Sequence, residues 1–286
     1  MKLVTYQRSQ ASVDEAQAEF GVLTADGIIS GGRLSNGRYI SVRQVLEERA
    51  LSLLSDAAAG LTPDIAMSDV ILLPPVPNPG KILCAGINYR THREETARPE
   101  TAHPMLFTRF ADTQIGHGAP ALKPSVTQKF DYEGELAVVI AATADAVSVE
   151  EASAYVAGYA CYNDFSARDW QRHTSQFLPG KNFKATGAFG PCLVTRDEIE
   201  DIGQCRLETI VNGDVRQSAL IDDLIFSIEE LISYISTFTT LHAGDVIVTG
   251  TPGGVGLFRE PPEFLVAGDR VEVKITGVGH LINQIA

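Results

Sequence analysis

Residues 131–140 read Asp-Tyr-Glu-Gly-Glu-Leu-Ala-Val-Val-Ile, and they constrain the fold more than any other stretch of the chain. Side chains alternate along a strand. Glu133, Glu135, Ala137 and Val139 therefore share one face, and Gly134, Leu136, Val138 and Ile140 the other. The second face is ordinary core. The first carries two carboxylates at i and i+2 that run straight into an apolar stretch. Like charges this close repel, and a half-buried strand tolerates them when something cationic lies between. A hard divalent ion, Mg²⁺ or Mn²⁺, suits oxygen ligands. The other reading is two solvated glutamates at an exposed strand end, and the spacing alone leaves it open.

Asp164 adds weight to the first reading. It follows an expected strand at 158–163, which is separated from the carboxylate strand by an expected helix at 148–156, opened by the capping box Ser148-x-x-Glu151. A β–α–β stretch can bring the two strands together. Asp164 then completes a three-oxygen face, with the remaining positions open to water or substrate, as a catalytic metal requires.

The rest of the chain divides near residue 72. Residues 1–72 read as a small α+β unit, with short strands at 1–6, 19–23 and 28–30 and a helix over 41–56. Residues 73–80, Leu-Pro-Pro-Val-Pro-Asn-Pro-Gly, read as a linker or an extended crossing. Residues 73–286 read as a second, strand-rich α+β unit. Its expected strands lie at 81–86, 104–110, 133–141, 158–163, 245–249 and 270–275, with a hairpin turning at Asn212-Gly213 and a helix over 227–238.

Composition excludes several function classes. With 44% hydrophobic and 21% charged residues, a core of normal size forms and wholesale disorder does not. A net charge of −13 repels phosphate backbones, so no nucleic-acid partner is expected. No stretch reaches the roughly 18–20 apolar residues of a membrane span, and the N-terminus lacks the pattern of a signal peptide. Cys84, Cys161, Cys192 and Cys205 form no C-x-x-C pair and read as reduced thiols in a cytoplasmic protein.

Two further segments carry chemistry. His92 and Glu95 lie three apart. On a helical turn they share a face, and Glu95 can then orient His92 as it takes a proton from water. A mobile charged loop is the alternative. Gly250-Thr251-Pro-Gly-Gly-Val-Gly256 is neither a dinucleotide nor a Walker motif. Its backbone N–H groups and the Thr251 hydroxyl can bind a carboxylate, or it is simply a glycine-rich turn. Ser166 lacks a G-x-S-x-G context, and the remaining histidines show no metal-ligand spacing.

Several motifs occur together: Gly86-Ile-Asn-Tyr-Arg-Thr-His92-Arg-Glu-Glu95, Asp131-Tyr-Glu133-Gly-Glu135, Asn163-Asp164-Phe-Ser-Ala-Arg168-Asp169-Trp-Gln171, Gly180-Lys181-Asn-Phe and Thr249-Gly250-Thr251-Pro-Gly-Gly-Val-Gly256. In these, and in their order, the chain from residue 81 onward resembles the fumarylacetoacetate hydrolase family. The resemblance implies an α+β fold, a mixed β-sandwich roll, beside a small N-terminal α+β domain of variable form, and a homodimer. It implies Mg²⁺ or Mn²⁺ on Glu133, Glu135 and Asp164, and a 2-oxo-carboxylate substrate, often an acylpyruvate. His92 and Glu95 correspond to a water-activating pair on a lid segment. Lys181 matches the active-site lysine, and Gln171 a glutamine that hydrogen-bonds the reacting carbonyl. Tyr89, Arg109, Gly250 and Thr251 are expected to contact substrate. Arg168 is counted with them, although its reading as a partner of nearby carboxylates is the stronger one. Arg109 stands where many relatives carry lysine, which leaves substrate identity open.

The leading expectation is therefore hydrolytic C–C cleavage of an acylpyruvate-like 2,4-dioxo acid to pyruvate and a second acid. Its alternatives are a 2-oxo-acid decarboxylase, a hydratase or isomerase, or a non-catalytic metal-dependent 2-oxo-acid binding protein. Selection of the substrate's distal group is expected from residues 93–104, 172–179 and 258–264.

Overall fold

The run Gly-Glu-Leu-Ala-Val-Val-Ile has no solvent face. In the computed structural model, which describes residues 1–9 and 17–286, every residue of the strand Gly134–Ile140 is buried. Both faces are covered, so the expected half-buried strand is a fully buried one. It pairs antiparallel with Val156–Asp164 on one side and with Val246–Val248 on the other. The register places Glu135 opposite Tyr162 and Gly134 opposite Asn163, so Asp164 ends its strand beside Glu133. The strand pairing that the carboxylate reading needs is present.

These three strands sit inside an 11-stranded mixed sheet. Its main path runs Ile28–Ser30, Glu19–Leu23, Lys2–Arg8, Gly187–Thr195, Val156–Asp164, Gly134–Ile140, Val246–Val248, Ile82–Gly86 and Met105–Arg109. A second sheet of four strands runs Asp214–Leu220, Arg206–Val211, Arg270–Ile275 and Gly279–Gln284. Leu136, Val138 and Ile140 join Leu207, Val273, Ile275 and Leu281 in the apolar layer between the sheets. Ala137 and Val139 point the other way, into a layer with Leu3, Val42, Val45 and Leu46. Alternation thus gives one strand two cores. Glu133 and Glu135 stand at the open end of that second face.

Several local expectations meet physical detail. The N-terminal residues are joined to the large sheet, because Lys2 and Leu3 pair with Val194 and Leu193. The helix expected over 41–56 is two helices, Val42–Glu47 and Leu51–Ala58, broken where Arg49 adopts φ 54°. Ser148 caps no backbone. Its hydroxyl bonds the Glu151 carboxylate at 3.1 Å, and the helix is only Val149–Ala152. Ser227 and Glu230 do form a reciprocal cap on Ile228–Phe238. Asn212 and Gly213 take φ 52° and 90°, the left-handed pair that a tight hairpin needs. All four cysteines are buried and free. Among the described residues no helix is long and apolar enough to cross a membrane.

Candidate active site

Glu133, Glu135 and Asp164 each offer a carboxylate oxygen, and these oxygens lie within 4.8 Å of one another. All three residues are buried. Each is set by the sheet: Glu133 donates its N–H to Asn163 Oδ1 at 3.0 Å, and Asp164 donates its own to the Glu133 carbonyl at 2.9 Å. Gly134 between the two glutamates cannot be larger, since a Cβ there would meet Thr209 Oγ1 at 1.9 Å.

Three cations reach into this cluster from distant segments. Lys181 Nζ donates to Glu133 Oε2 at 2.6 Å and to Asp164 Oδ2 at 2.7 Å. Arg168 pairs with Glu133 through Nη1 and with Asp131 through Nε at 2.8 Å. Arg109 pairs with Asp164 and donates to Thr186 Oγ1 at 2.7 Å. Asp131 in turn accepts the backbone N–H groups of Gly256 and Leu257 at 2.8 and 2.9 Å. Gly180 lets the short helix Leu178–Lys181 lie against Gln171, because a Cβ would meet the Gln171 backbone nitrogen at 2.4 Å.

The electrostatics split the two glutamates. Burial opposes ionisation of Glu133, yet Lys181 and Arg168 outweigh it and hold the carboxyl down at about 2. Burial pushes Glu135 well above the usual carboxylate range, and the Asp164 and Glu133 charges push the same way. Among the described residues its carboxylate accepts one hydrogen bond, from the Gly250 N–H at 2.6 Å. A carboxyl left short of cation beside two others fits a divalent ion. The donor set, all oxygen, suits Mg²⁺ or Mn²⁺.

A cavity of about 130 Å³ opens from this cluster. His92, Glu133, Glu135, Arg168, Gln171 and Lys181 border it, as does Thr251. His92 sits on the helix Arg90–Thr96, where the sequence left a helical turn or a loop open. Its Nδ1 lies 2.9 Å from Glu95 Oε2, and Glu95 Oε1 accepts the Gly254 N–H at 2.9 Å. That pairing assigns the ring proton to Nδ1 and leaves Nε2 as the free basic nitrogen. Gln171 Oε1 accepts from Arg168 at 3.1 Å, which leaves its NH₂ to donate. Arg168 Nη2 is buried with no partner among the described residues, so this cavity-lining arginine has a donor to spare.

Four residues expected to touch substrate have other partners in this structure. Tyr89 is fully buried, bridges Leu224 through its backbone and does not border the cavity. Arg109 is likewise buried behind Asp164, where it neutralises a carboxylate. The Gly250 N–H is taken by Glu135. Thr251 borders the cavity, but its hydroxyl donates to the Gly134 carbonyl at 2.9 Å and accepts from Gln217 at 2.8 Å. The sequence placed these residues near the site without telling which side of the sheet each faces. Its reading gave no role to Asp131, whose buried charge fixes Arg168 and whose partners Arg168, Gly256 and Leu257 lie more than 30 residues away. It also named the outer loops without the residues in them: Arg98, Arg172, Phe177 and Phe258 all border the cavity.

Comparison with known proteins places this geometry in context. Residues 81–286 match the family model described as fumarylacetoacetate (FAA) hydrolase C-terminal. Oxaloacetate tautomerase YisK of Bacillus subtilis (strain 168) is 45% identical over 226 residues, covering 77% of this chain and 74% of that protein. The mitochondrial oxaloacetate tautomerase Fahd2a of Rattus norvegicus is 36% identical over 288 residues, covering 100% of this chain and 91% of its own. Among solved structures, maleylpyruvate hydrolase from Sphingobium sp. SYK-6 in complex with manganese(II) and pyruvate is 26% identical, with a TM-score of 0.81 and coverage of 100% of this chain and 99% of that one.

Proposed function

The chain belongs to the fumarylacetoacetate hydrolase family, and from that premise we propose that it is a divalent-metal-dependent keto–enol tautomerase of a small 2-oxo acid of the oxaloacetate kind. The observation that carries this reading is the placement of His92. It borders the same small cavity as Glu133 and Glu135 of the carboxylate triad, with Nδ1 held by Glu95 and Nε2 free. Two relatives of high coverage are named as oxaloacetate tautomerases, which supports the same chemistry.

Glu133, Glu135 and Asp164 would hold Mg²⁺ or Mn²⁺, which when bound supplies Lewis-acid polarisation of a 2-oxo carboxylate. The protein's own residues supply the proton transfer. His92 Nε2 takes a proton from C3 of the keto form. The C3–H electron pair becomes the C2=C3 bond, and the carbonyl pair moves onto the C2 oxygen. The Lys181 ammonium, the Gln171 NH₂ and Arg168 Nη2 are the donors available to that oxygen. Protonation there gives the enol. In the opposite direction the oxygen loses its proton and the imidazolium returns one to C3. Glu95 supports the charge on the ring throughout.

Hydrolysis of an acylpyruvate-like acid, the leading expectation from sequence, is the second reading. The His92–Glu95 pair can equally draw a proton from water, and the maleylpyruvate hydrolase structure supports that use of the fold. One assay separates the two. The protein is given Mg²⁺ or Mn²⁺ and either enol-oxaloacetate or an acylpyruvate panel. Loss of the enol absorbance with no new acid is the expected result. Release of two acids from an acylpyruvate, without acceleration of ketonisation, would reverse the order. His92→Asn is expected to slow turnover by about 10²–10⁴-fold, the usual weight of a positioned acid–base group.

A further inference from the structure

The triad end of the cavity is crowded with paired charges, and its mouth is the reverse. Arg98 and Arg172 border the same cavity as Glu133 and Glu135, from two separate loops, and both are exposed. The Arg98 guanidinium lies 5.8 Å from the ring centroid of Phe177, and that of Arg172 lies 5.8 Å from the ring centroid of Phe258. Both rings are themselves part of the cavity wall. Neither arginine has an ion-pair partner among the described residues, in a chain with 36 acidic side chains against 23 basic ones. Carboxylates are thus in excess, and these two cations still meet at one opening without any.

An arginine stacked on an aromatic ring keeps its planar fork free and largely oriented. Such a fork matches a carboxylate, in one or two parallel hydrogen bonds. Two of them at the mouth of a cavity of about 130 Å³ fit a short diacid rather than a long or apolar tail. Ligand pockets of drug size run to about 300–1,000 Å³. An apolar tail would cover two guanidinium groups and return no hydrogen bonds, which is costly.

We propose that Arg98 and Arg172 select the substrate by binding a second carboxylate at its far end, so that the site takes a short 2-oxo dicarboxylate and discriminates against the 2-oxo monoacid of equal length. This rests on the reading that the triad end holds the 2-oxo-acid head. The two arginines are specificity-determining residues and take no part in the proton transfer.

The test compares oxaloacetate with 2-oxobutyrate, in which a methyl group replaces the far carboxylate, and with oxalate, which has the head alone. The metal-loaded protein is compared with Arg98→Leu, Arg172→Leu and the double variant. The double variant is expected to raise KM for oxaloacetate by about 10- to 100-fold, the weight of charged hydrogen bonds, while kcat changes far less. Oxalate affinity by calorimetry is expected to hold, and the preference for oxaloacetate over 2-oxobutyrate to collapse. Arg98→Lys and Arg172→Lys should restore part of it, since lysine keeps the charge without the fork. An unchanged KM for oxaloacetate in the double variant overturns the proposal, as does a parallel loss of oxalate binding. Should the wild type turn over neither oxo acid, the proposed reaction fails, and the arginines are then judged by binding. Weaker oxaloacetate with unaltered oxalate supports their role, and equal affinities in wild type and double variant overturn it.

Discussion

The two ends of the cavity are built on opposite rules. At the inner end Asp131, Glu133, Glu135 and Asp164 face Arg109, Arg168 and Lys181, and all seven are buried. At the mouth Arg98 and Arg172 are exposed and carry no acidic partner among the described residues. A charge at the inner end is part of the folded structure, because taking it from water is repaid by its partners. A charge at the mouth keeps its water until a ligand replaces it. Changes at the inner end should therefore register in stability and metal binding, and changes at the mouth in substrate choice.

The sharpest way to break that contrast is Arg168→Ala. It leaves Asp131 and Glu133 buried without this cation, and a loss of about 3–5 kcal/mol is expected in denaturant unfolding. A loss no larger than that of an exposed ion pair, about 1 kcal/mol or less, would show that the inner end is not structural. Gly250→Ala comes next. Its Cβ would lie 2.8 Å from Asn88 Cβ, at a φ of 106° that L-residues rarely adopt. The loop must shift and loosen the N–H that holds Glu135, so Mn²⁺ affinity by calorimetric titration is expected to fall by about 10- to 100-fold. The smallest effect belongs to salt. Raising ionic strength from about 0.05 to 0.5 M should raise KM for oxaloacetate about two- to fivefold through the exposed mouth. The melting temperature should hardly move, because buried pairs are screened much less. A fall in stability without a change in KM would invert the contrast.

How far the sequence could be read follows the same division between local and distant information. Glu19–Leu23, Ile28–Ser30 and Arg270–Ile275 carry their strand signals within a few residues, and the structure has them at those bounds. Gly187–Thr195 was missed. Pro191 argues against a strand interior, and in the fold it sits where the register against Val156–Asp164 is irregular. The E-x-E spacing made the carboxylate pair visible because one strand carries both. The neutralising cations come from residues 109, 168 and 181 and converge only in three dimensions. Tyr89 and Arg109 read from sequence as candidates for substrate contact, without knowledge of their neighbours, and both are buried away from the cavity lining. The break at Arg49 had no local mark, since nothing in Leu-Glu-Glu-Arg-Ala-Leu announces a left-handed residue.

The loop 250–256 grips three carboxylates with main-chain N–H groups: Glu135 by Gly250, Glu95 by Gly254 and Asp131 by Gly256. A backbone amide survives nearly every point mutation, whereas a side-chain donor disappears with one. Only the glycines themselves are exposed to change, and at Gly254 and Gly256 a Cβ would meet carbonyl oxygens at 2.2 and 2.0 Å. The core of the site is thereby buffered against mutational drift, while the mouth, in the role proposed for it, depends on two replaceable side chains. A lineage built on this plan can change what it recognises within a few substitutions and keep its chemistry intact, which makes it well suited to founding new substrate specificities.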